Sequence, residues 1–303
     1  MDDGRIVVSG LTKRYRALTA VNDLSFTVEP GRVTGFLGPN GAGKTTTLRM
    51  LLNLVMPTAG TATIGGRRYV DLEQPDRMVG AVLEASSAHK GRTGRNHLRA
   101  CCITAGLPIG RAEEVLELVG LAPAADRKFK GYSLGMKQRL GIAAAMLGDP
   151  RVLILDEPAN GLDPEGIRWM REFLQGLAAE GRTAPDSSHL LSEMQALADD
   201  VVIVAAGRLV RQGAVREVLA SMAGDIQIQV STPDPETLAA ALRTIGASVR
   251  PGGPGTLLVS GTTAAVVGDT ALAAGVAVHH LSTDQPDLED VFLTLTTEKA
   301  AIR

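Results

Sequence analysis

Residues 38–46 read Gly38-Pro39-Asn40-Gly41-Ala42-Gly43-Lys44-Thr45-Thr46. The stretch matches the pattern G-x-x-x-x-G-K-[ST], in which main-chain N–H groups of a glycine-rich loop surround phosphate oxygens. The apolar run at 33–37 predicts a buried strand before the loop, and residues 45–52 predict a helix after it. The pattern requires this context, and the positive end of the helix dipole adds to the attraction for an anion. The sequence therefore predicts that the residues of this loop bind phosphate groups.

Two side chains of the loop have separate tasks. Lys44 is expected to reach the β- and γ-phosphates of a nucleoside triphosphate, and the Thr45 hydroxyl is expected to bind Mg²⁺. The alternative interpretation is a glycine-rich turn with an incidental lysine. The flanking strand and helix patterns favour the phosphate-binding interpretation, because the motif acts in that context.

An acidic pair follows a second buried strand further along the chain. The apolar run Val152–Leu155 is typical of a strand covered on both faces of a parallel sheet, and it ends at Asp156 and Glu157. Ligands of open α/β sheets bind at the carboxyl ends of the strands. Asp156 is therefore a candidate to hold Mg²⁺, and Glu157 a candidate to polarise an attacking water. Alone the pattern is weak, but after a phosphate-binding loop it is the expected second half of a nucleotide site.

Length and composition limit the classes of protein that remain. A chain of 303 residues predicts about two domains, and a formal net charge of −2 gives no overall electrostatic reason to bind nucleic acid. No basic signal peptide and no apolar run of about 20 residues is visible, so a membrane process would need another chain to supply the span. The cysteines, Cys101 and Cys102, are adjacent and are expected to be reduced thiols.

Composition changes along the chain and predicts a domain boundary. Residues 1–222 alternate strand and helix patterns, with a helical stretch at about 94–148. Around Gly224 charge becomes sparse, and residues 223–303 read as strand, helix, two strands, helix and strand, followed by an amphipathic helix at about 287–296. That order is consistent with a ferredoxin-like split βαβ domain. We therefore expect an α/β nucleotide-binding domain with a helical subdomain, and a small α+β accessory domain.

Residues 5–222 resemble the ATP-binding subunit of an ATP-binding-cassette (ABC) transporter. The resemblance covers the whole of that domain, with the motifs in the family's order and spacing. Beside the phosphate-binding loop and the acidic pair, the stretches that match are Leu11-Thr12-Lys13-Arg14-Tyr15, Tyr132-Ser133-Leu134-Gly135-Met136-Lys137-Gln138-Arg139, Asn160-Gly161-Leu162-Asp163 and Ser187-Ser188-His189. The fold that the resemblance implies is an α/β P-loop NTPase of the ABC type.

The resemblance also implies roles for single residues. Tyr15 matches the aromatic residue that stacks on adenine, and His189 matches the switch histidine that bonds the γ-phosphate and orients the water. Ser133 and Gly135 belong to the signature that meets the ATP of a second subunit, and Asp163 belongs to the dimer-contact loop. By its chemistry alone, Ser133 is a good helix N-cap, and Gly135 permits close approach of a ligand. The implied activity is ATP hydrolysis with Mg²⁺ as cofactor.

Partners and location follow from the same resemblance. It implies a separate integral-membrane permease, a homodimer or a pair with a related ATPase subunit, no nucleic acid, and a peripheral place on the cytoplasmic, inner face of the cell membrane. An antibiotic- or multidrug-export type is implied by Glu84, by the signature variant Leu134-Gly135-Met136 and by the C-terminal domain. Two other functions stay open: a soluble regulatory or nucleic-acid-linked ATPase, and a hydrolysis-impaired, nucleotide-dependent scaffold.

The sequence departs from the family's pattern at two places near the site. Glu84 stands where the family usually has a glutamine that contacts Mg²⁺ or the water, so it adds negative charge beside the phosphates. Ala184-Pro185-Asp186 stands where the family usually has an apolar strand. Proline is scarce in central strands, and an unpaired buried aspartate is unfavourable. We expect a strand that begins late, a strained sheet or local degeneration, with His189 less firmly anchored.

Overall fold

The computed structural model describes residues 3–83, 88–188, 191–222, 227–284, 288–289 and 292–293. The chain divides into two compact units, Met1–Val215 with Phe292–Arg303, and Arg216–Val291. The division lies at the start of the helix Val215–Met222, whereas the sequence analysis placed the domain boundary at the end of that helix. Most of the helix expected at about 287–296 lies outside the described residues.

The first unit contains two sheets and the helices that connect their strands. In the described part of the chain its strands are β1 (Ile6–Tyr15), β2 (Leu18–Val28), β3 (Val33–Leu37), β4 (Ala59–Ile64), β5 (Val79–Val82), β6 (Val152–Asp156), β7 (Ala184–Ser188), β8 (Asp200–Ala205) and β9 (Arg208–Ala214). The α-helices are α1 (Lys44–Leu51), α2 (Pro75–Met78), α3 (Gly94–Thr104), α4 (Arg111–Leu118), α5 (Leu134–Ala145), α6 (Pro164–Ala179), α7 (Leu191–Leu197) and, across the division, α8 (Val215–Met222). Helices α3, α4 and α5 form the helical subdomain expected at about 94–148.

The larger sheet brings the functional strand ends to one edge. Its order is β5-β6-β7-β3-β8-β9, and its pairings are parallel except that of β8 with β9. All residues of β3 and β6 are buried, in agreement with the unbroken apolar runs that predicted both strands. Because parallel strands end at the same edge, the loop after β3 and Asp156 at the end of β6 lie along one edge, with β7 between them.

The core of the first unit includes α1, the helix that follows the phosphate-binding loop. The smaller, antiparallel sheet has the order β2-β1-β4 and contributes Ile6 and Phe26 to this core. The larger sheet contributes Phe36, whose ring centroid lies 5.3 Å from that of Phe26. Leu48 and Leu51 of α1 pack into the same cluster. Apolar packing on its inner face therefore holds α1 against strands of both sheets.

The second unit is a four-stranded antiparallel sheet with two helices. Its elements are β10 (Gln227–Ser231), α9 (Pro235–Thr244), β11 (Ser248–Gly253), β12 (Thr256–Ser260), α10 (Ala264–Ala273) and β13 (His280–Asp284). The sheet order is β11-β12-β10-β13. This is the ferredoxin-like order of elements read from the sequence. The unit has a core of its own, which includes Ile228, Leu238, Val259 and Val267.

The proline-containing segment forms a regular central strand. β7 begins at Ala184 and pairs in parallel with β3, where Pro185 lies opposite Thr34. The expectation of a late strand start is therefore wrong. On the side of β7 that faces β6, the N–H of Thr183 donates to the carbonyl oxygen of Arg151 at 2.9 Å. The next residue whose N–H would point to β6 is Pro185, which has no N–H to donate. The pairing on both sides keeps the strand in place despite one missing hydrogen bond.

Asp186 is buried on the face of β7 opposite that of Pro185. It is 2% exposed, and its Oδ1 has no hydrogen-bond partner among the described residues. Burial raises the pKa of Asp186 well above its usual value, and repulsion from Glu157 and Asp156 raises it further. The carboxyl group is thus buried as expected, and the raised pKa favours its neutral form; the unfavourable effect of this burial on stability stays a prediction.

Asp186→Val is expected to stabilise the protein by about 1–3 kcal/mol at neutral pH. The substitution removes a buried polar group whose Oδ1 has no described hydrogen-bond partner, and it supplies a β-branched side chain to a central strand. Thermal unfolding of both proteins measures the difference. A melting temperature equal to or below that of the wild type would contradict the unfavourable role assigned to Asp186.

The matched control is Asp186→Asn, which separates charge from packing. Because folding raises the pKa of Asp186, its contribution to stability is fully present below the unfolded pKa of about 3.9 and is lost as pH rises through the folded pKa. The asparagine variant lacks this loss. Its melting temperature relative to the wild type should therefore increase from about pH 5 to about pH 8. A constant difference over that range would mean that the carboxyl group ionises normally.

Candidate active site

The phosphate-binding loop leaves β3 and turns directly into α1. Gly43, the N-cap of α1, has a φ of 99°, a left-handed conformation that glycine adopts without strain. A Cβ at this position would lie 2.5 Å from the main-chain oxygen of Ala20. The N–H of Thr47 donates to the Gly43 carbonyl at 2.9 Å, which starts the helical hydrogen bonds. The N–H groups of the first turn have no acceptor within the helix and can bind an anion.

Lys44 lies buried between the loop and the end of β6. Its Nζ donates to the main-chain oxygen of Gly38 at 2.6 Å and lies 3.9 Å from Oε1 of Glu157. Burial lowers the pKa of Lys44, while the carboxylates of Glu157 and Asp156 oppose that shift. The ammonium group is therefore placed where it can neutralise phosphate charge beside the acidic pair.

Thr45 and Asp156 meet directly. The Thr45 hydroxyl donates to Oδ2 of Asp156 at 2.7 Å, which joins the first turn of α1 to the end of β6. The other oxygen, Oδ1, accepts a hydrogen bond from the hydroxyl of Ser187 on β7. The structure thus brings together two residues that the sequence analysis proposed as Mg²⁺ ligands. Their binding of a metal stays a prediction.

Ser187 also belongs to this site, although its role was not predicted from the sequence. It lies opposite Asp156 in the parallel register of β7 with β6. Its side chain contacts both members of the acidic pair, Asp156 through its O–H and Glu157 through its oxygen. A signal was available, since Ser187 precedes His189 by two residues at the carboxyl end of a strand. That signal does not say which strand is the neighbour.

Glu157 has an unusual main-chain conformation. Its φ is 54°, in the left-handed region that residues with a Cβ seldom occupy. Its N–H donates to the carbonyl oxygen of Ser187 at 2.9 Å and to the hydroxyl oxygen at 3.2 Å. These bonds hold the turn after β6 while the carboxylate approaches Lys44. Residues in such conformations cluster at functional sites.

An open pocket of about 650 Å³ lies over the loop. The loop residues that line it are Pro39, Asn40, Gly41, Ala42, Gly43, Lys44, Thr45 and Thr46. Tyr15 and Leu18 of the β1–β2 hairpin and Glu157 complete much of the wall. Tyr15 is 45% exposed, and Nζ of Lys13 lies 5.0 Å from the centroid of its ring. A ring available for stacking and a loop suited to phosphate therefore face one space.

The signature residues lie apart from that pocket. Ser133 caps α5, accepting from an N–H of the first turn at 3.2 Å, and Asp163 caps α6 in the same way at 2.8 Å. A Cβ on Gly135 would meet Cδ2 of Leu162 at 3.4 Å, so the two helix starts are neighbours. Among the residues that the structure describes, the pocket lining includes none of Ser133, Gly135 and Asp163.

Two predicted site residues, Glu84 and His189, lie outside the described residues. The described chain ends at Leu83 before the first of them and at Ser188 before the second. The contact of Glu84 with Mg²⁺, the contact of His189 with the γ-phosphate, and the weaker anchoring expected of His189 stay predictions.

The fold and the site define the class of protein. A mostly parallel sheet, a glycine loop at the start of α1, and an acidic pair at the end of β6 are the parts of a P-loop nucleotide-binding protein. A solved structure described as the ATP-binding subunit of an ABC transporter is similar, with a TM-score of 0.64 and 28% identity, over 71% of this chain and 92% of that one.

Comparisons with known sequences identify the family. Residues 21–160 match the family described as ABC transporter, and residues 227–289 match a domain of unknown function, DUF8746. The chain is 44% identical over 206 residues to the uncharacterised ABC transporter ATP-binding protein YhcH of Bacillus subtilis. The matched region covers 67% of this chain and 68% of that protein. It is 42% identical over 216 residues to the bacitracin transport ATP-binding protein BcrA of Enterococcus faecalis, covering 70% of each.

A longer match has lower identity. The Nod factor export ATP-binding protein I of Ralstonia nicotianae is 34% identical over 300 residues, covering 95% of this chain and 92% of that protein. The chain therefore belongs to the ATP-binding subunits of ABC transporters. It is accordingly the ATPase subunit of a transport system, with the fold of an ABC cassette.

Gly43→Ala is expected to destabilise the protein and to abolish ATP binding. The added Cβ would meet the main-chain oxygen of Ala20 at 2.5 Å, so the loop must shift away from β2. The control is Gly181→Ala, where φ is +84° but no described atom lies within 4 Å of the added Cβ. That variant should lose only about 1–2 kcal/mol and keep its ATP affinity. Equal melting temperatures and equal affinities for the two variants would refute the close-approach argument.

Proposed function

We propose that this chain hydrolyses ATP to power export through a separate integral-membrane permease, from a peripheral place on the cytoplasmic face of the cell membrane. The observation that carries the proposal is the pocket shared by Tyr15, Lys44 and Glu157. A ring for the base, a cation for the phosphates and a carboxylate for the water face one space. Membership of the ABC family supplies the transport context.

ATP binds with its base on Tyr15 and its phosphates in the loop. Aromatic stacking contributes about 0.5–1.5 kcal/mol beyond the area that it buries, and the exposed ring is available for it. The main-chain N–H groups at the start of α1 surround the phosphate oxygens. The bond of Lys44 to Gly38 keeps its ammonium group at the base of the loop, beside the β- and γ-phosphates.

The donor set fits Mg²⁺. Thr45 and Asp156 offer a hydroxyl and a carboxylate oxygen 2.7 Å apart, and Mg²⁺ takes oxygen ligands and keeps several waters. These residues would hold the ion, directly or through water, and Glu84 is a third candidate ligand. When bound, the ion neutralises charge on the phosphates.

Glu157 and His189 act on the attacking water. The Glu157 carboxylate accepts a hydrogen bond from the water, which increases the electron density on the oxygen that attacks the γ-phosphorus. His189 orients that water and bonds the γ-phosphate. Lys44 stabilises the negative charge on the γ-phosphate oxygens. Catalysis is mainly positioning and charge stabilisation, as is general for phosphoryl transfer.

A second copy completes the site. Ser133 and Gly135 lie at the start of α5, away from the described lining of their own chain's nucleotide pocket. The start of a helix attracts phosphate, so α5 of one copy would meet the γ-phosphate held by the other in a head-to-tail pair. Asp163 would lie where the two copies meet. A related ATPase subunit could take the place of one copy.

An apolar groove is the proposed place for the permease. It has a volume of about 530 Å³ and lies between the larger sheet and the helical subdomain, with Leu54, Val82, Cys101 and Ala144 in its lining. Leu54 is 65% exposed, which favours contact with an apolar segment of a partner. No helix in the described ranges is long and apolar enough to cross a membrane. A membrane-spanning partner seated here would convert closure of the ATPase pair into transport.

The relatives support an export role of the antibiotic or multidrug type. BcrA of Enterococcus faecalis is named for bacitracin transport, SrtF of Streptococcus pyogenes for lantibiotic transport, and the Ralstonia protein for Nod factor export. None of these relatives favours a nucleic-acid-linked ATPase. The hydrolysis-impaired scaffold is distinguished from an ATPase by the following experiment.

Glu157→Gln is expected to lower the ATP hydrolysis rate by at least about 100-fold while ATP binding is retained, because the amide cannot polarise the water as a carboxylate does. Phosphate release and equilibrium nucleotide binding are measured on the purified chain. Lys44→Ala is the reference that loses binding as well. If the wild type and Glu157→Gln hydrolyse ATP equally, the catalytic role fails, and if neither hydrolyses it, the scaffold alternative is favoured.

Mixing two inactive variants tests the head-to-tail pair. A pair of Lys44→Ala with Ser133→Ala contains one intact site, built from the loop of one copy and the signature of the other. The mixture should regain hydrolysis that neither variant has alone. Thr93→Ala is the matched control, because it also removes an N-cap, from α3, but lies outside the signature. An inactive mixture, or an equal loss in Thr93→Ala, would argue against the composite site.

A further inference from the structure

The hydroxyl of Ser187 bridges the two acidic residues of the site. Ser187 lies on β7 opposite Asp156 and is 1% exposed. Its O–H donates to Oδ1 of Asp156, and its oxygen accepts from the N–H of Glu157 at 3.2 Å. A hydroxyl has one proton to donate, so the donor of Ser187 is committed to Asp156. The described lining of the nucleotide pocket does not include Ser187, which therefore acts from behind the reacting groups.

The first of these bonds fixes the plane of the Asp156 carboxylate. The terminal torsion of an aspartate is broad, so its rotamer alone does not orient the two oxygens. Ser187 bonds Oδ1, and the Thr45 hydroxyl bonds Oδ2 at 2.7 Å. With each oxygen held by a different hydroxyl, the carboxylate cannot turn without breaking both bonds.

The second bond holds the turn at Glu157. This residue has a φ of 54°, and its N–H is shared between the hydroxyl and the carbonyl oxygen of Ser187. Loss of the hydroxyl leaves the carbonyl as the acceptor of that N–H. The carboxylate lies 3.9 Å from Nζ of Lys44, so a change in the turn moves it relative to the ammonium group.

Packing alone does not call for a serine at this place. Central strands favour β-branched and aromatic residues, and an apolar side chain would fill a fully buried position. The adjoining strand β3 carries another buried hydroxyl, Thr34, whose Oγ1 has no partner in the part of the chain that the structure describes. The Ser187 hydroxyl, by contrast, makes two bonds, and both reach acidic residues of the site. The hydroxyl of Ser187 therefore serves the hydrogen bonding of the site and is not explained by packing within the sheet.

We propose that Ser187 is a positioning residue for ATP hydrolysis, which holds Asp156 and Glu157 in the orientations that the reaction uses. The inference rests on the proposed function and deepens it, since it assigns a task to a residue outside the described lining of the nucleotide pocket. β7 is then the third strand, beside β3 and β6, that positions groups for ATP hydrolysis.

Ser187→Ala and Ser187→Thr separate this role from packing. Ser187→Ala removes both side-chain bonds and is expected to lower kcat for ATP hydrolysis about 10- to 100-fold, the range found when residues that orient metal ligands are lost. KM for ATP should change less than about threefold, because Tyr15 and the loop are untouched. Ser187→Thr keeps the hydroxyl, so its kcat should return to within about threefold of the wild-type value.

Thr34→Val is the matched control. It removes the buried hydroxyl of β3 that has no described partner, so kcat should be unchanged and the melting temperature should not fall. The Mg²⁺ concentration that gives half-maximal hydrolysis is the second measurement. It should increase in Ser187→Ala, where the Thr45 hydroxyl alone still holds the Asp156 carboxylate, and stay constant in Thr34→Val. This measurement decides the matter if Ser187→Thr does not fold.

The outcomes distinguish the inference from the function on which it rests. A wild-type kcat in Ser187→Ala, or an unchanged Mg²⁺ requirement, overturns the inference while the ATPase function stands. A loss of kcat in a folded Ser187→Thr equal to that in Ser187→Ala also overturns it. If the wild-type chain shows no hydrolysis that depends on Lys44, the proposed function fails, and the inference fails with it.

Discussion

The hydrogen bond from Thr45 to Asp156 is the contact on which the site depends. At 2.7 Å it joins the start of α1 to the end of β6, two elements that are distant in the sequence. Because Lys44 precedes Thr45 and Glu157 follows Asp156, the same bond brings the ammonium group and the second carboxylate to within 3.9 Å of each other. One contact therefore sets the relative positions of four side chains.

The order of the strands determines the distance between β3 and β6, which this contact has to span. β7 lies between β3 and β6, and neighbouring strands are about 4.8 Å apart, so the two functional strands are separated by about 10 Å. The glycine loop carries the chain from β3 towards β6, and Gly43 in this loop lies close to the main chain of β2. The side chains of Thr45 and Asp156 span the remaining distance. The end of β7 lies between the two strands, so Ser187 can bond both the carboxylate of Asp156 and the main-chain N–H of Glu157.

The elements that the sequence predicts correctly are those with a local signal. Unbroken apolar runs predicted β3 and β6, and the glycine pattern predicted the turn into α1. The expectation of a late start for β7 was wrong. It was based on the low strand propensity of proline and aspartate at positions 185 and 186, whereas pairing with β3 and β6 on both sides stabilises the strand. Ser187 was missed because its partners lie about 30 residues away and only the register of β7 with β6 brings them together.

The departure of β7 from an apolar strand combines two features with opposite effects. Asp186 and Ser187 are adjacent and therefore point to opposite faces of the sheet. Asp186 is buried, one of its oxygens has no partner in the described ranges, and repulsion from the nearby carboxylates adds to the effect of burial in favouring the neutral form. Ser187 is equally buried, but its polar atoms are used on the acidic pair. The same short strand therefore carries a residue that weakens the sheet beside one that orders the site. An apolar strand would have neither the unfavourable carboxyl group of Asp186 nor the hydrogen bonds of Ser187.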